Sequence, residues 1–509
     1  MPTTPRPMQL FSIRARIFAA LLWLAALGCA SAPASERGWI EARSTNFSLY
    51  TALDEPRARE LIENLELFRA AILAMTRVRS VNPHVPTEIY AFRSEGDYQP
   101  FQPIADSSGF FRPTLRVNFV ALSAGANAAQ ARAILYHEYT HFVLQNEGSA
   151  HYPLWFEEGF ADLFSSLEVR GASVRIGAPP ASRVSSLRYG FPLSYARVLG
   201  ARSYEGFGAE ELPMFYAQSW LLVHHLVLGG GAGVSGRLRS YVEKVEHRVA
   251  EEQAFREAFA IEVADLGPRL KKYQQKIPIF GMPREKLAPE AAAAMRAVPR
   301  DEIRTRLGWL ALANEKPVLA RRLFESASAT NPGNARAIAG LAETREFERR
   351  WDEAEVGYHR ALELDPGDWQ NHLDLARCLV DRASVEDEQR AERLASAREH
   401  LARVIALAPE IPEGHAILGI ALAMDGERGA GIASLEHALA LLPANPAIEY
   451  PLAQLHARAG HRERAIELLR SVVYRAHGGA DAEAAMLLDE LERKNGRSAL
   501  PEAPDELVR

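Results

Sequence analysis

His137-Glu138-Tyr139-Thr140-His141 places two imidazoles four residues apart, with a carboxylate next to the first. In a helix, residues i and i+4 lie one above the other, so both rings can reach one metal ion. Glu138 flanks such an ion instead of binding it, and can take a proton from the attacking water. A catalytic zinc needs a third protein ligand and one open position. Downstream, Pro153-Leu154-Trp155-Phe156-Glu157-Glu158-Gly159-Phe160-Ala161-Asp162 supplies two adjacent carboxylates, Glu157 and Glu158, and then Asp162 four residues past the second. Counting alone does not choose between Glu157 and Glu158. Asp162 shares the helix face of Glu158, where a carboxylate can accept the second N–H of a ligating histidine and fix its tautomer.

These groups need elements to hold them. Apolar periodicity predicts a helix from about Ala128 to Gln145, with Asn127 as its N-cap and Gly148 just past its end. Ahead of it, Phe47 to Tyr50, Glu88 to Phe92 and Leu115 to Val120 read as short strands. Glu55 to Thr76 carries Leu61, Leu65, Phe68 and Ile72 at helical spacing. From Glu157 onward the chain reads as mainly helical, with a strand pair around Leu167 to Ile176, and Pro278 to Pro299 reads as a linker or bridging helix.

The Trp155-x-x-Glu158-Gly159-x-Ala161 segment after His137–His141 resembles that of gluzincin zinc metallopeptidases, in which the glutamate before glycine is the third ligand. The resemblance implies zinc held by His137, His141 and Glu158, catalysis by Glu138, and Asp162 supporting His137. The order of elements, with Gly109-Phe110-Phe111 and Tyr216-Ala217-Gln218-Ser219-Trp220, looks like that of exported bacterial peptidase MA-like (DUF1570-type) proteins, some of which carry tetratricopeptide repeats. By the same analogy the strand at Leu115–Val120 is a sheet edge that pairs with extended substrate, and Tyr216 donates a hydrogen bond to the oxyanion. The gap after His141 is shorter than in the aminopeptidases of the clan, and no Gly-Ala-Met-Glu-Asn-like segment is found, which leans against an aminopeptidase. His151, His224 and His225 lie near in sequence but are not needed as ligands.

The last two hundred residues read as helices only, with a repeat. Pro332, Pro366, Pro409 and Pro443 end successive helices at spacings of 34, 43 and 34 residues, the long one fitting a nine-residue insertion around Val385 to Arg393. Leu307-Gly308, Leu341-Ala342, Leu375-Ala376, Leu418-Gly419 and Leu452-Ala453 recur in the first helix of each unit, and Ala320/Phe324/Ala327, Ala354/Tyr358/Ala361 and Gly431/Leu435/Ala438 in the second. This resembles the tetratricopeptide repeat and implies a stacked superhelix with a concave face for a protein partner.

Composition bounds the rest. A chain of 509 residues, 48% hydrophobic and 24% charged, is long enough for several domains and is not globally disordered. A net charge of −6 with no basic stripe gives no reason to expect nucleic acid. Arg6, Arg14 and Arg16, the apolar run Ile17 to Leu27 and the small residues Gly28 to Ala34 read as a secretory signal, too short for a comfortable transmembrane span. Leu27-Gly28-Cys29 also resembles a lipoprotein signal, so Cys29 is either lost on cleavage or lipidated. Cys378, the other cysteine, reads as a small buried hydrophobe.

The expected organisation is a signal at 1–34, an α+β zincin-like (thermolysin-like gluzincin) catalytic domain at 38–280, a linker at 281–300, an all-α tetratricopeptide superhelix at 301–495 and a tail at 496–509. The expected function is zinc-dependent peptide-bond hydrolysis in the periplasm or cell envelope, with a protein partner or substrate on the repeats, which would present it across the linker. Membrane contact is expected only through an N-terminal lipid. The rival reading is a zinc-holding scaffold without turnover.

Overall fold

The computed structural model describes residues 38–76, 85–103, 107, 109–125, 128–146, 152–204, 206–229, 233–247, 249–287, 293–475 and 482–493. The signal segment with Cys29, and Asn127, Gly148 and His151, lie outside the described residues. Among the described residues no helix is long and apolar enough to cross a membrane.

The N-terminal half is built on a mixed six-stranded sheet. Its strands are β1 (Ile40–Arg43), β2 (Ser48–Thr51), β3 (Thr87–Phe92), β4 (Gly109–Arg112), β5 (Asn118–Ser123) and β9 (Ala294–Ala297), in the order β4-β5-β3-β2-β1-β9. β2, β3 and β5 run parallel; β4 pairs antiparallel with β5 at one edge, and β1 pairs antiparallel with both β2 and β9, the other edge. Helix α1 (Glu55–Thr76) is the crossover that lets β2 and β3 run parallel. Side chains alternate across the central strands. Leu49, Ile89, Ala91, Val120 and Leu122 point into a core with α1 and with helix α2 (Ala128–Asn146). Tyr50, Tyr90, Phe92, Phe119 and Ala121 point the other way, into a second core shared with Ile303, Leu307, Leu310 and Phe324 of the repeats.

Two expectations need correction. The third strand begins at Asn118, not Leu115, and β5 is no edge: β3 pairs one side and β4 the other. Thr114 ends the preceding turn by accepting from the Arg116 and Val117 amides, which delays the strand. The stretch 281–300 is not a free linker or one bridging helix: where it is described it holds the end of one strand, a single helical turn at Arg284–Lys286 and a second strand. β8 (Phe280–Pro283) pairs with β7 (Ser173–Ile176), itself paired to β6 (Glu168–Arg170), and β9 pairs with β1. In β9 the helix propensity of alanine yields to tertiary pairing with β1. Arg296 on β9 bonds Glu41 on β1 and Glu302, and Val298 joins the shared core.

The C-terminal half is a tetratricopeptide-like superhelix of five helix pairs, Arg300–Ala313/Pro317–Thr330, Ala335–Phe347/Trp351–Leu364, Trp369–Val385/Arg390–Leu407, Pro412–Met424/Arg428–Leu441 and Pro446–Arg458/Arg462–Arg475, followed by Ala482–Arg493. Small residues lie where helices cross. The ring of Phe324 sits so close to Gly308 and Gly340 that a Cβ at either would collide with it. The nine-residue insertion lengthens the two helices of the third pair to 17 and 18 residues instead of forming a long turn. Cys378 is fully buried in this core, as its position implied.

Candidate metal centre

α2 presents His137 and His141 to helix α3 (Leu154–Ser165), which carries Glu158 and Asp162 as buried groups. α3 is seated by Trp155, whose ring packs on Tyr241 and Phe255. Its other side lies on helix α5 (Glu211–His224) at Gly159, where a Cβ would meet the Ser219 carbonyl oxygen and, at 2.6 Å, Val223 Cγ2. The glycine thus allows the approach that sets the depth of its neighbour Glu158.

His137 Nε2 and His141 Nε2 are 3.2 Å apart. Glu158 Oε2 lies 3.3 Å from His137 Nε2, and Glu158 Oε1 3.7 Å from His141 Nε2. Metal–donor bonds of ~2.0–2.1 Å in a tetrahedron separate the donors by roughly 3.3–3.4 Å, so the spacing fits a zinc ion. Glu158 Oε2 is buried with no hydrogen-bond donor directed at it, despite His137 at 3.3 Å. That is the geometry of lone pairs facing a common point. Among the described residues, these three are the one group of His, Cys, Asp or Glu side chains that could hold an ion together. Glu157 is not part of it.

Asp162 Oδ1 is 3.3 Å from His137 Nδ1, the nitrogen that faces away from Glu158. Burial works against a charged His137, yet the Asp162 and Glu158 carboxylates beside it raise its pKa well above the usual value. Burial likewise opposes ionisation of Glu158, but His141, His137 and Tyr204 outweigh it and hold the carboxyl at about 2. A cation placed among these donors replaces the proton that His137 otherwise holds. Glu138 lies beside the group. Burial raises its pKa, opposed by the two histidines and by the backbone of Phe111 on β4. The sheet edge beside Glu138 is therefore β4, where the sequence analogy had placed β5.

Two further residues complete the site and carried no signal in the sequence. Arg183, on helix α4 (Ala181–Tyr189), grips Asp162 with both arms, Nε to Oδ2 at 2.6 Å and Nη2 to Oδ1 at 3.1 Å. Tyr204 donates its hydroxyl to Glu158 Oε1. Tyr216 reaches the cluster through these two: the Arg183 guanidinium lies 4.7 Å over its ring, and Tyr204 stacks on it at 6.3 Å. Burial raises both phenols, so both stay protonated and able to donate. His224 is a satisfied core residue, its Nδ1 2.9 Å from the Tyr273 hydroxyl and its Nε2 3.0 Å from the Gly177 carbonyl.

Residues 422–491 match the tetratricopeptide repeat family. Comparison with curated proteins finds none that matches. Similar solved structures include a thermophilic tetratricopeptide protein of Thermus thermophilus, 23% identical over 38% of this chain and 99% of its own, TM-score 0.33. PilW, a widely conserved type IV pilus biogenesis factor, is 19% identical over 42% of this chain and 99% of its own, TM-score 0.32. YrrB, a repeat protein with an unusual peptide-binding site, is 18% identical over 37% of this chain and 90% of its own, TM-score 0.28.

Proposed function

We propose that the N-terminal half is an exported, gluzincin-type zinc hydrolase of peptide bonds in the cell envelope, and that the superhelix serves a protein partner or substrate. The convergence of His137, His141 and Glu158, with Glu138 alongside and Asp162 behind His137, is the observation that carries this reading. His137, His141 and Glu158 would hold the ion. When bound, zinc supplies a Lewis acid that polarises a carbonyl and makes water a competent nucleophile near neutral pH.

The chain's own groups do the rest. Asp162 takes the Nδ1–H of His137, so that Nε2 keeps its lone pair for binding. Arg183 holds Asp162 in place from behind. Glu138, a stronger base for being buried, takes the proton of the attacking water and delivers it to the leaving amine nitrogen. Tyr216 is the candidate donor to the carbonyl oxygen as charge develops there. The free side of β4 offers backbone groups to an extended substrate.

The test is cleavage of a denatured protein mixture by wild type and Glu138→Gln, with zinc content measured in both. The expected outcome is zinc in both and at least a ~10²-fold loss of cleavage in the variant. Undiminished cleavage would remove Glu138 from the mechanism. A second reading, a zinc-holding scaffold, is favoured by the family match, which covers repeats alone. Zinc present in wild type without any cleavage would support that reading.

A further inference from the structure

The concave face of the superhelix is not open. The turn between β4 and β5, Pro113 to Val117, enters it, with Thr114 holding the turn through the Arg116 and Val117 amides at 3.2 and 3.0 Å. Arg116 Nη1 lies 2.5 Å from Asp374 Oδ1, and its Nε and Nη2 bind both oxygens of Glu413 at 2.9 and 3.0 Å. Asp374, wholly buried, is shared with Arg336 at 2.6 Å. Leu115 packs on the apolar cluster of the last repeats, and Val117 on that of the first. Beside the turn remains a cavity of about 440 Å³, bordered by Trp309, Phe347 and Phe119. That holds a few side chains, not an extended chain running along the groove.

Charge defines what this face accepts. Without Arg116, Glu413 would lose both of its arginine hydrogen bonds, and the buried Asp374 would keep only the one from Arg336. The fork on Glu413 is the planar, two-bond recognition that arginine makes and lysine does not.

We propose that the concave face is an arginine-binding groove occupied in cis by Arg116, and that its partner is a protein presenting an arginine between apolar residues in an extended segment. Such a segment replaces the β4–β5 turn, since the remaining cavity is too small to hold both. The proposal is independent of the metal-site reading, because binding is read without catalysis.

The probe is the synthetic peptide Pro-Thr-Leu-Arg-Val-Asn, the sequence of residues 113–118. The test is its titration against full-length wild type and Arg116→Ala. The tethered turn competes at a local concentration near the millimolar range, so the peptide binds the variant at least ~10-fold more tightly than wild type. Replacing the peptide's arginine with lysine weakens binding, replacing it with alanine abolishes it, and Glu413→Gln in the Arg116→Ala chain weakens it too. Equal affinity for the two proteins, equal affinity of the arginine and alanine peptides, or no binding to a folded Arg116→Ala chain would overturn the proposal. Should that variant not fold, wild type alone decides by hydrogen exchange. Excess peptide raises exchange at residues 109–112 and 118–119, and unchanged exchange overturns the proposal.

Discussion

Asp162 has two partners, His137 through Oδ1 and Arg183 through both oxygens. Its carboxylate passes the orientation set by α4 to a ligand on α2. Asp162→Asn keeps the shape but loses the charge, so zinc affinity should fall 10–100-fold in a chelator competition. An affinity equal to wild type would mean that Asp162 serves only the packing of α3 against α4. The two tyrosines should separate in the same experiment. Tyr204→Phe removes a hydrogen bond from Glu158 and should weaken metal retention, whereas Tyr216→Phe should leave retention unchanged and lower turnover. Metal loss of equal size in both would refute this division. The donors were legible in the sequence because a helix converts spacing into a shared face, on α2 for His137 and His141 and on α3 for Glu158 and Asp162. Arg183 and Tyr204 were not, because they arrive from α4 and a loop, with no fixed interval from the residues they touch.

At the scale of elements, the site depends on how closely α3 lies on α5. Gly159→Ala must push α3 away from the Ser219 carbonyl. A cost of about 1–3 kcal/mol in denaturant unfolding is expected, with weaker metal binding. An unchanged midpoint and unchanged zinc content would show that α3 has room to spare. The helices α1 and α2 were read from periodicity nearly to the residue. The sheet was harder. Strand order and edges are fixed by pairing between distant segments, so the sequence could not show that β4 would cover β5. Nor could it show that β9, more than 240 residues from β1, would return to pair with it.

The two halves of the molecule share a core. Phe110, Phe119 and Tyr90 of the sheet pack with Ile303, Leu307 and Phe324 of the first repeat. The Arg306–Glu88 pair and the bond from Arg112 to the Ala313 carbonyl bridge the same boundary. Deleting residues 301–509 would therefore expose apolar sheet surface as well as remove a binding face, and would not isolate substrate capture. A pH dependence follows at the same boundary. Burial pushes the Glu343 carboxyl up to about 7, opposed by Arg377 and Arg116 and reinforced by Glu346 and Asp374. The folded chain then binds a proton that the unfolded chain releases between pH 4.5 and 7, so this group's contribution to stability falls as pH rises through that window. Glu343→Gln should show less decline in melting temperature from pH 5 to pH 7 than wild type, and identical slopes would contradict the assignment.

The central claim is that three side chains hold one zinc ion. Metal analysis of purified full-length protein tests it most directly: one zinc per chain in wild type and Glu138→Gln, and little in His141→Ala. Zinc retained undiminished in folded His141→Ala, or absent from wild type supplied with zinc, would contradict it.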